Sequence, residues 1–420
     1  MSSSHTTVVD MILPDSENSL WRESYPKAFY APLQEGKEVD AVIVGAGITG
    51  LTAAYLLKKS GLTVYVLEKD TVGGGTTGRT TGKVSSQHSL AYADLYDRLG
   101  EDAARAYAQA NQAGLEQIAH IIEAENIVCD WQREDNYVFT AKDEKMPQLY
   151  QEAAIAKKLG LPANFAVDTP LPFSVKGAVV FKNQAKMDAQ KYVLGLAEKV
   201  HGNGSGVYEN STVIRIQDGN PGFVKTKSAT VYAKYIIVAT SVPTLPLAAR
   251  GTYCLYEYPT ESYIVAGPTT MNIRGMYISP DTVHYSILPI TLGGRQILLV
   301  GGKSHIAGLN GSKKSRYQKL AQYAKTRLGV TEVTHRWSDR DYIAYDKLPL
   351  VGKLYPNSKK LYVASAFRKW GLTNSTAAAL ILHDLIIGKP NAWAAVFTPH
   401  RKGIIGSIPR TIQEHLPFMS

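Results

Sequence analysis

Residues 39–50 read VDAVIVGAGITG, and this stretch decides the fold. Val39 to Val44 form a short, β-branched apolar run, which is typical of a strand buried on both faces of a parallel sheet. The glycines that follow have the spacing GxGxxG, and residues 51–59 continue with helical composition and apolar spacing. The order of strand, glycine turn and helix predicts the first unit of a Rossmann-type fold.

Each glycine of this turn has a physical task in binding a dinucleotide. Gly45 permits the tight turn, Gly47 lets the backbone approach a pyrophosphate, and Gly50 lets the helix pack closely on the strand. The N-terminus of the helix then offers unpaired N–H groups and the positive end of its dipole to the phosphates. After a second predicted strand, residues 63–67, Glu68 has the spacing at which a carboxylate accepts hydrogen bonds from a ribose diol.

The number of such sites bears on the choice of cofactor. No second glycine fingerprint occurs between Glu68 and the C-terminus, whereas disulfide-reductase-like enzymes carry two. A single site near the start of a long chain favours FAD, in an enzyme whose electron donor is the substrate itself. A nicotinamide-dependent dehydrogenase is the second interpretation.

Residues 73–88 read GGGTTGRTTGKVSSQH, and this stretch carries a resemblance to a known family. The likeness begins at Trp21 to Ser24 and returns near the C-terminus in residues 341–352 and 361–374. Over nearly its whole length the chain resembles the D-amino-acid oxidase or glycine oxidase superfamily. More specifically, it resembles the FAD oxidoreductase module that many bacteria fuse to a C-terminal Rieske iron–sulfur domain.

The resemblance implies that a C-terminal strand, loop and helix fold back on the flavin domain, with the start of the helix at the pyrimidine edge of the flavin. Gly371 and Thr373 precede the predicted helix 375–387, so backbone donors and a helix dipole are available there. Lys83 or Lys369 adds positive charge near the same edge, unless both are solvated surface groups.

Two features depart from the relatives. Ala366 and Arg368 stand where the relatives usually have a glycine-rich turn, which weakens the expectation that this backbone approaches the flavin closely. The Rieske ligand pairs cannot form, because the only cysteines of the sequence are Cys129 and Cys254. We expect both to be buried free thiols, and we expect no metal site and no Rieske domain.

The predicted cofactor site draws its members from several parts of the chain. They are Gly45, Gly47, Ile48, Thr49, Gly50, Glu68, Lys69, Thr76, Thr77, Arg79, Thr80, Thr81, Gly82, Lys83, Val213, Ala239, Thr240, Gly352, Lys369, Gly371, Leu372 and Thr373.

The predicted fold class is α/β, with a Rossmann-type FAD-binding domain interleaved with an α+β substrate domain on a mixed or antiparallel sheet. Residues 91–125 have helical spacing, and short β-rich runs between residues 137 and 300 suit such a sheet. We expect a tail that is mobile up to about Asn18. The predicted divisions are an N-terminal extension, 1–37, an FAD-binding domain, 38–95, 185–250 and 338–420, and a substrate domain, 96–184 and 251–337.

The candidate catalytic residues are His88, Tyr258 and Arg274. His88 follows directly after the expected flavin loop, where it would orient the substrate or, as a weaker option, attach the flavin covalently. Tyr258 and Arg274 fall in the predicted substrate domain, where an arginine would clamp a carboxylate by paired hydrogen bonds. A structural histidine and ordinary packing tyrosines are the alternatives. Other candidates for the same pocket are Gln87, Tyr256, His284 and Tyr285.

The composition excludes several classes of protein. Among 420 residues, 45% are hydrophobic and 20% charged, as in ordinary globular proteins. The formal charge of +10 would suit nucleic-acid binding, yet the basic residues are scattered and no aromatic–basic module occurs. No apolar run approaches the roughly 18 residues that span a bilayer, and the polar N-terminus lacks the features of a secretory signal. We expect a cytoplasmic protein that binds no nucleic acid and does not span a membrane.

These observations predict an FAD-dependent oxidoreductase that oxidises a small amine or amino acid by hydride transfer to flavin N5. Oxygen or a separate electron-transfer protein would reoxidise the flavin. One alternative is an FAD-dependent dehydrogenase or demethylase that works with a Rieske or ferredoxin-like partner. Another is a flavin-binding protein that does not turn over.

Overall fold

The computed structural model describes residues 11–23, 29–240, 256–281, 284–308 and 311–415. Within these ranges the helices are α1 (Leu20–Glu23), α2 (Ile48–Lys59), α3 (Ala91–Leu99), α4 (Glu101–Glu125), α5 (Met146–Lys158), α6 (Ala189–Val200), α7 (Lys313–Leu328), α8 (Gly371–Ile387), α9 (Ala394–Phe397) and α10 (Ile408–His415). Short 3₁₀ helices cover Thr76–Arg79, Asp143–Lys145 and Ile405–Ser407.

The strands of the same ranges form two sheets. They are β1 (Glu38–Val44), β2 (Val64–Leu67), β3 (Lys83–Val84), β4 (Gln132–Thr140), β5 (Ala163–Ala166), β6 (Gly177–Lys186), β7 (Gly206–Tyr208), β8 (Arg215–Gln217), β9 (Gly222–Lys225), β10 (Thr230–Val238), β11 (Glu257–Pro268), β12 (Met276–Ile278), β13 (Tyr285–Leu292), β14 (Arg295–Ile306), β15 (His335–Ala344), β16 (Leu350–Lys353) and β17 (Leu361–Ser365).

The first sheet is the predicted Rossmann core. Strand β1 lies between β2 and β10, both parallel to it, and β7 and β17 extend the parallel set on the two sides. Strands β16 and β9 pair antiparallel with β17 and β10. Ala41, Val42 and Ile43 of β1 have no exposed surface, as expected for a strand covered on both faces. Helices α2 and α8 pack against each other beside this sheet.

The second sheet has the order β15-β11-β14-β13-β12-β4-β6-β3, with β5 paired to β6. Its pairs are antiparallel except for the parallel pair β12 and β4, so the sheet is mixed, as predicted. Helix α7 packs against β11 and β14. The predicted α/β class with a second, mixed sheet is therefore confirmed, while the exact domain boundaries stay a prediction.

Three local expectations differ from the structure. The predicted helical stretch 91–125 is interrupted at Gly100, because its φ of +82° lies outside the right-handed helical region. Helices α3 and α4 are therefore separate. Helix α8 begins at Gly371 rather than at Ser375. Of the expected mobile tail, residues 11–18 are described, and Asn18 forms a bridge with Arg336 of β15.

Two further expectations concern cysteine and membranes. Cys129 is a buried free thiol, as predicted, and burial raises its pKa to about 12. Cys254 lies outside the described residues. In the described part of the chain, no helix combines the length and the apolar character that a membrane span requires.

Candidate cofactor and active site

The turn after β1 brings backbone atoms so close together that side chains are excluded. Gly45 has a φ of +107°, and a Cβ atom there would lie 2.7 Å from the carbonyl oxygen of Ala239. A Cβ atom on Gly50 would lie 2.0 Å from the carbonyl oxygen of Gly45. Glycine at these positions therefore lets the first turn of α2 sit directly at the end of β1, where its N–H groups have no partner within the helix.

Glu68 follows β2 and faces the same turn. Its Oε2 accepts a hydrogen bond from the N–H of Ala46 at 2.9 Å, and its Oε1 accepts one from the N–H of Asp70 at 3.0 Å. Burial raises the pKa of Glu68, and the two N–H donors act in the opposite direction. A carboxylate thus stands beside the glycine turn, at the place where a ribose diol is bound in Rossmann folds.

A cavity of about 1400 Å³ extends from this turn to β11, β14 and β15 of the second sheet. Its walls include the last residues of β1, β2 and β17, and open α/β sheets bind their ligands at these carboxyl ends of parallel strands. Most of the predicted cofactor residues line it, namely Gly45, Gly47, Ile48, Thr49, Glu68, Lys69, Thr76, Thr77, Arg79, Thr80, Thr81, Lys83, Val213, Ala239, Thr240, Lys369, Gly371 and Leu372.

The other predicted cofactor residues lie behind the cavity walls. Gly50 is beneath the glycine turn, and Gly82 and Gly352 adopt φ values of +92° and +142° that favour glycine. Thr373 donates its hydroxyl proton to the carbonyl oxygen of Ser85 at 3.0 Å. The geometry lets these four residues shape the backbone around a ligand, but it does not bring them into the cavity.

The loop between β17 and α8 is strained. Ala366, Arg368 and Lys369 have φ values of +63°, +46° and +69°, a region that costs non-glycine residues on the order of 1 kcal/mol or more each. Ala366 lines the cavity, so this backbone approaches the site although it lacks the glycine-rich turn of the relatives. Burial lowers the pKa of Lys369, also in the wall, to about 8, and Asp341 acts in the opposite direction.

Lys83, the first residue of β3, is a buried amine in the cavity wall. Its Nζ donates to the carbonyl oxygen of Tyr277 and to the Oγ of Ser286, the latter at 2.7 Å. The residue is only 6% exposed, and burial alone lowers its pKa to about 7. A neutral amine has two N–H groups and one lone pair. The two acceptors match the two N–H groups of the neutral amine.

His284 belongs to a chain of hydrogen bonds in the same wall. Its Nε2 lies 3.0 Å from the Oγ of Ser304, which lies 2.8 Å from the Oγ of Ser262. Burial, followed by the charges of Lys369 and Lys303, lowers the pKa of His284 to about 3. The ring is therefore neutral at physiological pH, where it is a hydrogen-bond partner and a weak base.

His88 does not line the cavity. It has no exposed surface, and its Nδ1 lies 2.6 Å from the hydroxyl of Tyr107. Its Nε2 lies 2.9 Å from the carbonyl oxygen of Ser85 and 3.0 Å from the hydroxyl of Thr373. The ring stacks on Trp370, which does line the cavity. Burial lowers the pKa of His88 well below its usual value. The structure thus places His88 behind the wall, out of reach of a bound substrate.

Tyr258 and Arg274 also lie outside the cavity walls. On β11, Glu257 and Pro259 line the cavity, and because side chains alternate along a strand, Tyr258 faces the other side. There its ring lies 5.4 Å from that of Tyr345. Arg274 is exposed in the turn before β12. The structure therefore brings neither residue to the cavity.

Three acidic residues with raised pKa values line the cavity and were not singled out from the sequence. Burial raises the pKa values of Glu257, Asp339 and Asp341 to about 8, 7 and 6. Glu257 accepts a hydrogen bond from the Oγ of Ser365 at 2.6 Å. Asp341 stands in a segment that carries the family resemblance, which is the sequence signal for it. The other two reach the cavity through the pairing of β11 with β15, which no local pattern reveals.

These residues fit FAD. At Gly45 and Gly50 a Cβ atom would collide with the backbone, so the glycine turn leaves space for a close approach of the pyrophosphate. The first turn of α2 offers N–H donors to the phosphates, and Glu68 offers a carboxylate to the ribose. Beyond this turn the cavity continues to the second sheet, which leaves room for the flavin and a small substrate.

Comparisons with known proteins agree with this fit. Residues 40–385 match the model of the DAO family, described as FAD dependent oxidoreductase. YhfW of Bacillus subtilis (strain 168), which is named as a Rieske 2Fe-2S iron-sulfur protein, is 33% identical over 389 residues, or 92% of this chain and 76% of YhfW. The gamma-glutamylputrescine oxidoreductase of Escherichia coli (strain K12) is 26% identical over 86% of this chain and 87% of its own. The crystal structure of glycine oxidase from Geobacillus kaustophilus superposes with a TM-score of 0.72 at 20% identity, over 87% of this chain and 99% of that one, which supports the fold.

Proposed function

Because the chain belongs to the DAO family of FAD-dependent oxidoreductases, we propose that it oxidises the carbon beside the nitrogen of a small amine or amino acid. When bound, FAD supplies the oxidant by accepting the hydride of that carbon at flavin N5, and the imine product hydrolyses in water. The observation that carries the proposal is a cavity that joins the glycine turn to a polar wall containing Lys83, His284 and Ser286. The names of two relatives, glycine oxidase and gamma-glutamylputrescine oxidoreductase, support this class of substrate.

Lys83 removes a proton from the nitrogen of the substrate, which must be neutral before the hydride can leave. An alkylamine reaches the enzyme mainly as an ammonium ion, since its pKa is about 10 in water, and an ammonium nitrogen has no lone pair to stabilise the cation left by hydride loss. The Nζ of Lys83 takes up that proton with its free lone pair, while Tyr277 and Ser286 hold its two N–H groups. Its pKa of about 7 suits a base that works near neutral pH.

His284 orients the substrate rather than accepting its proton. The hydrogen bonds through Ser304 to Ser262 fix the imidazole in the wall, and its lowered pKa keeps it neutral beside Lys369. A neutral ring at this place offers a hydrogen bond without repelling a cationic substrate.

The proposal predicts a yellow protein whose flavin absorbance is bleached by at least one amine in the absence of oxygen. The panel should contain glycine, sarcosine, putrescine and gamma-glutamylputrescine, with acetate as the control that lacks the amine. A folded, colourless protein that takes up no FAD would contradict the proposal at the cofactor. A yellow protein that none of the amines bleaches would favour the alternative of a flavin-binding protein without turnover.

The electron acceptor is a separate question, for which YhfW provides one specific observation. YhfW is named as a Rieske 2Fe-2S iron-sulfur protein, and the match to this chain covers 76% of the length of YhfW. This favours, as a second candidate, a dehydrogenase or demethylase that passes electrons to a Rieske or ferredoxin-like partner. For this candidate we predict slow reoxidation by air and rapid reoxidation by a Rieske-type ferredoxin in stopped-flow experiments after anaerobic bleaching, since a Rieske centre has a higher potential than a plant-type ferredoxin. Rapid reoxidation by air would instead identify an oxidase.

A further inference from the structure

The backbone of residues 78–80 is held by three side chains that do not line the cavity. Ser19 Oγ, Trp337 Nε1 and Trp21 Nε1 donate hydrogen bonds to the first, second and third of these carbonyl oxygens, at 2.6, 2.8 and 2.7 Å. Three consecutive carbonyl groups are thus fixed by donors from two separate segments of the chain.

The donors are themselves held in place. Residues 15–22, which contribute two of them, are attached to β15: the N–H of Asn18 donates to the carbonyl oxygen of Arg336 at 2.8 Å, and the Arg336 guanidinium donates back to a carbonyl of the segment at 2.9 Å. Trp21 and Trp337 are 5% and 2% exposed and belong to one hydrophobic cluster. Because both rings are buried, their N–H groups have little freedom to follow a displaced loop.

The opposite side of the same loop is a wall of the cofactor cavity. We define the cofactor loop as residues 76–82, and its threonines 76, 77, 80 and 81 line the cavity. The carbonyl group that Trp21 binds belongs to Thr80, so this hydrogen bond fixes the peptide between two of these threonines, Thr80 and Thr81. The Oγ1 of Thr77 also lies 3.3 Å from the N–H of Ile48, the first residue of α2. The position of the loop is therefore coupled to the glycine turn.

We propose that Ser19, Trp21 and Trp337 are positioning residues of the cofactor site, which hold the cofactor loop in the conformation that binds FAD. The N-terminal segment is then a part of the FAD site, although it contributes no atom to the cavity wall. Losing one donor leaves a carbonyl of the loop unsatisfied and lets the loop turn, which should weaken FAD binding by about 5-fold to 100-fold. This inference depends on FAD binding and is independent of which amine is oxidised.

Trp21→Phe and Trp337→Phe test the inference, because phenylalanine keeps an aromatic ring and removes the N–H. The FAD dissociation constant of each apoprotein is measured by titration, together with the melting temperature of the apoprotein and the visible circular dichroism of bound flavin. We expect a weaker FAD affinity and an altered flavin band in both variants. Trp131→Phe is the matched control, because the Trp131 ring is partly buried and does not line the cavity. This variant should keep the wild-type dissociation constant.

Ser19→Ala provides a second variant with a minimal change of volume, should a tryptophan variant fail to fold. Ser19→Ala should also weaken FAD binding. The melting temperature of its apoprotein should fall no further below the wild-type value than that of the Trp131→Phe control. The inference is overturned if FAD binds to Ser19→Ala and to the tryptophan variants within twofold of the wild-type affinity. It is equally overturned if the losses of affinity occur only in proportion to a loss of apoprotein stability. Wild-type protein that binds no FAD would instead refute the cofactor itself.

Discussion

Lys83→Met is expected to lower the anaerobic rate constant of flavin bleaching by about 100-fold or more near neutral pH, a loss typical of removing a general base. The substitution keeps the length and apolar stem of the side chain but removes the nitrogen that accepts the substrate proton. Lys83→Arg is not expected to restore the rate, because a guanidinium stays protonated at every accessible pH. The measurement is stopped-flow absorbance with the amine that bleaches the flavin fastest in the panel.

The pH dependence gives a sharper test than the rate at one pH. Burial lowers the pKa of Lys83 to about 7. Lys83 is therefore mostly neutral, and able to accept a proton, above this pH, and it becomes protonated as the pH falls below it. The wild-type rate constant should therefore rise through pH 7 and then level off. In Lys83→Met it should continue to rise toward about pH 10, where an alkylamine loses its own proton. Lys186 lies opposite Lys83 on the paired strand and binds Glu134. The titratable residues Asp281, His284, Asp341 and Lys369 line the same cavity as Lys83.

The matched control is Lys186→Met. Lys186 pairs directly with Lys83 across β3 and β6, but it does not line the cavity. The Lys186→Met substitution should leave the midpoint of the pH profile near 7. A flat wild-type profile between pH 6 and pH 8, or a Lys83→Met profile with the wild-type midpoint, would contradict the assignment of the base. In that case Lys83 would have only the role expected from the sequence, in which Lys83 or Lys369 adds positive charge near the flavin.

The part of the candidate site at the glycine turn could be predicted from the sequence because its requirements are mostly local. The contact that excludes a side chain at Gly50 is with the nearby Gly45, and Glu68 follows at a spacing set by one helix and one strand. The close contact of Gly45 is with the distant Ala239, but the GxGxxG spacing marks this glycine as well. Such a unit has the same geometry wherever it occurs, so residue type and spacing determine it. The same holds for the burial of β1, which its apolar residues 41–44 predicted.

The part of the candidate site at the second sheet could not be predicted in the same way, because it depends on contacts between distant strands. Position along the chain suggested His88, yet the fold turns its ring toward Tyr107 and away from the cavity. Tyr258 is one residue from the cavity-lining Glu257, and a strand places adjacent residues on opposite faces. Lys83 was predicted from the sequence as a positive charge near the flavin, but its two acceptors could not be, because they come from β12 and β13, 194 and 203 residues later.

A second large effect is expected from the ion pair between Asp346 and Arg401. The Nε and Nη2 atoms of Arg401 donate to the two carboxylate oxygens at 2.6 and 2.7 Å, and the two side chains are only 4% and 9% exposed. Arg401 also donates to the carbonyl oxygens of Leu348 and Phe397, at 2.7 and 3.2 Å. It thereby ties the segment after α9 to the segment before β16, at the edge of the Rossmann sheet.

Arg401→Met should lower the free energy of unfolding by about 3–5 kcal/mol, because it leaves the Asp346 carboxylate buried without its partner. Asp346→Asn should cost a similar amount, and the double variant should cost less than the two single variants together, since their effects share one interaction. Arg410→Met is the control: Arg410 binds Asp94 at 3.1 Å with a side chain that is 54% exposed, so its loss should cost no more than about 1 kcal/mol. Urea unfolding, followed by circular dichroism with and without FAD, measures all four changes. A cost for Arg401→Met no larger than that of the control, or strict additivity in the double variant, would show that the buried pair does not hold these segments together.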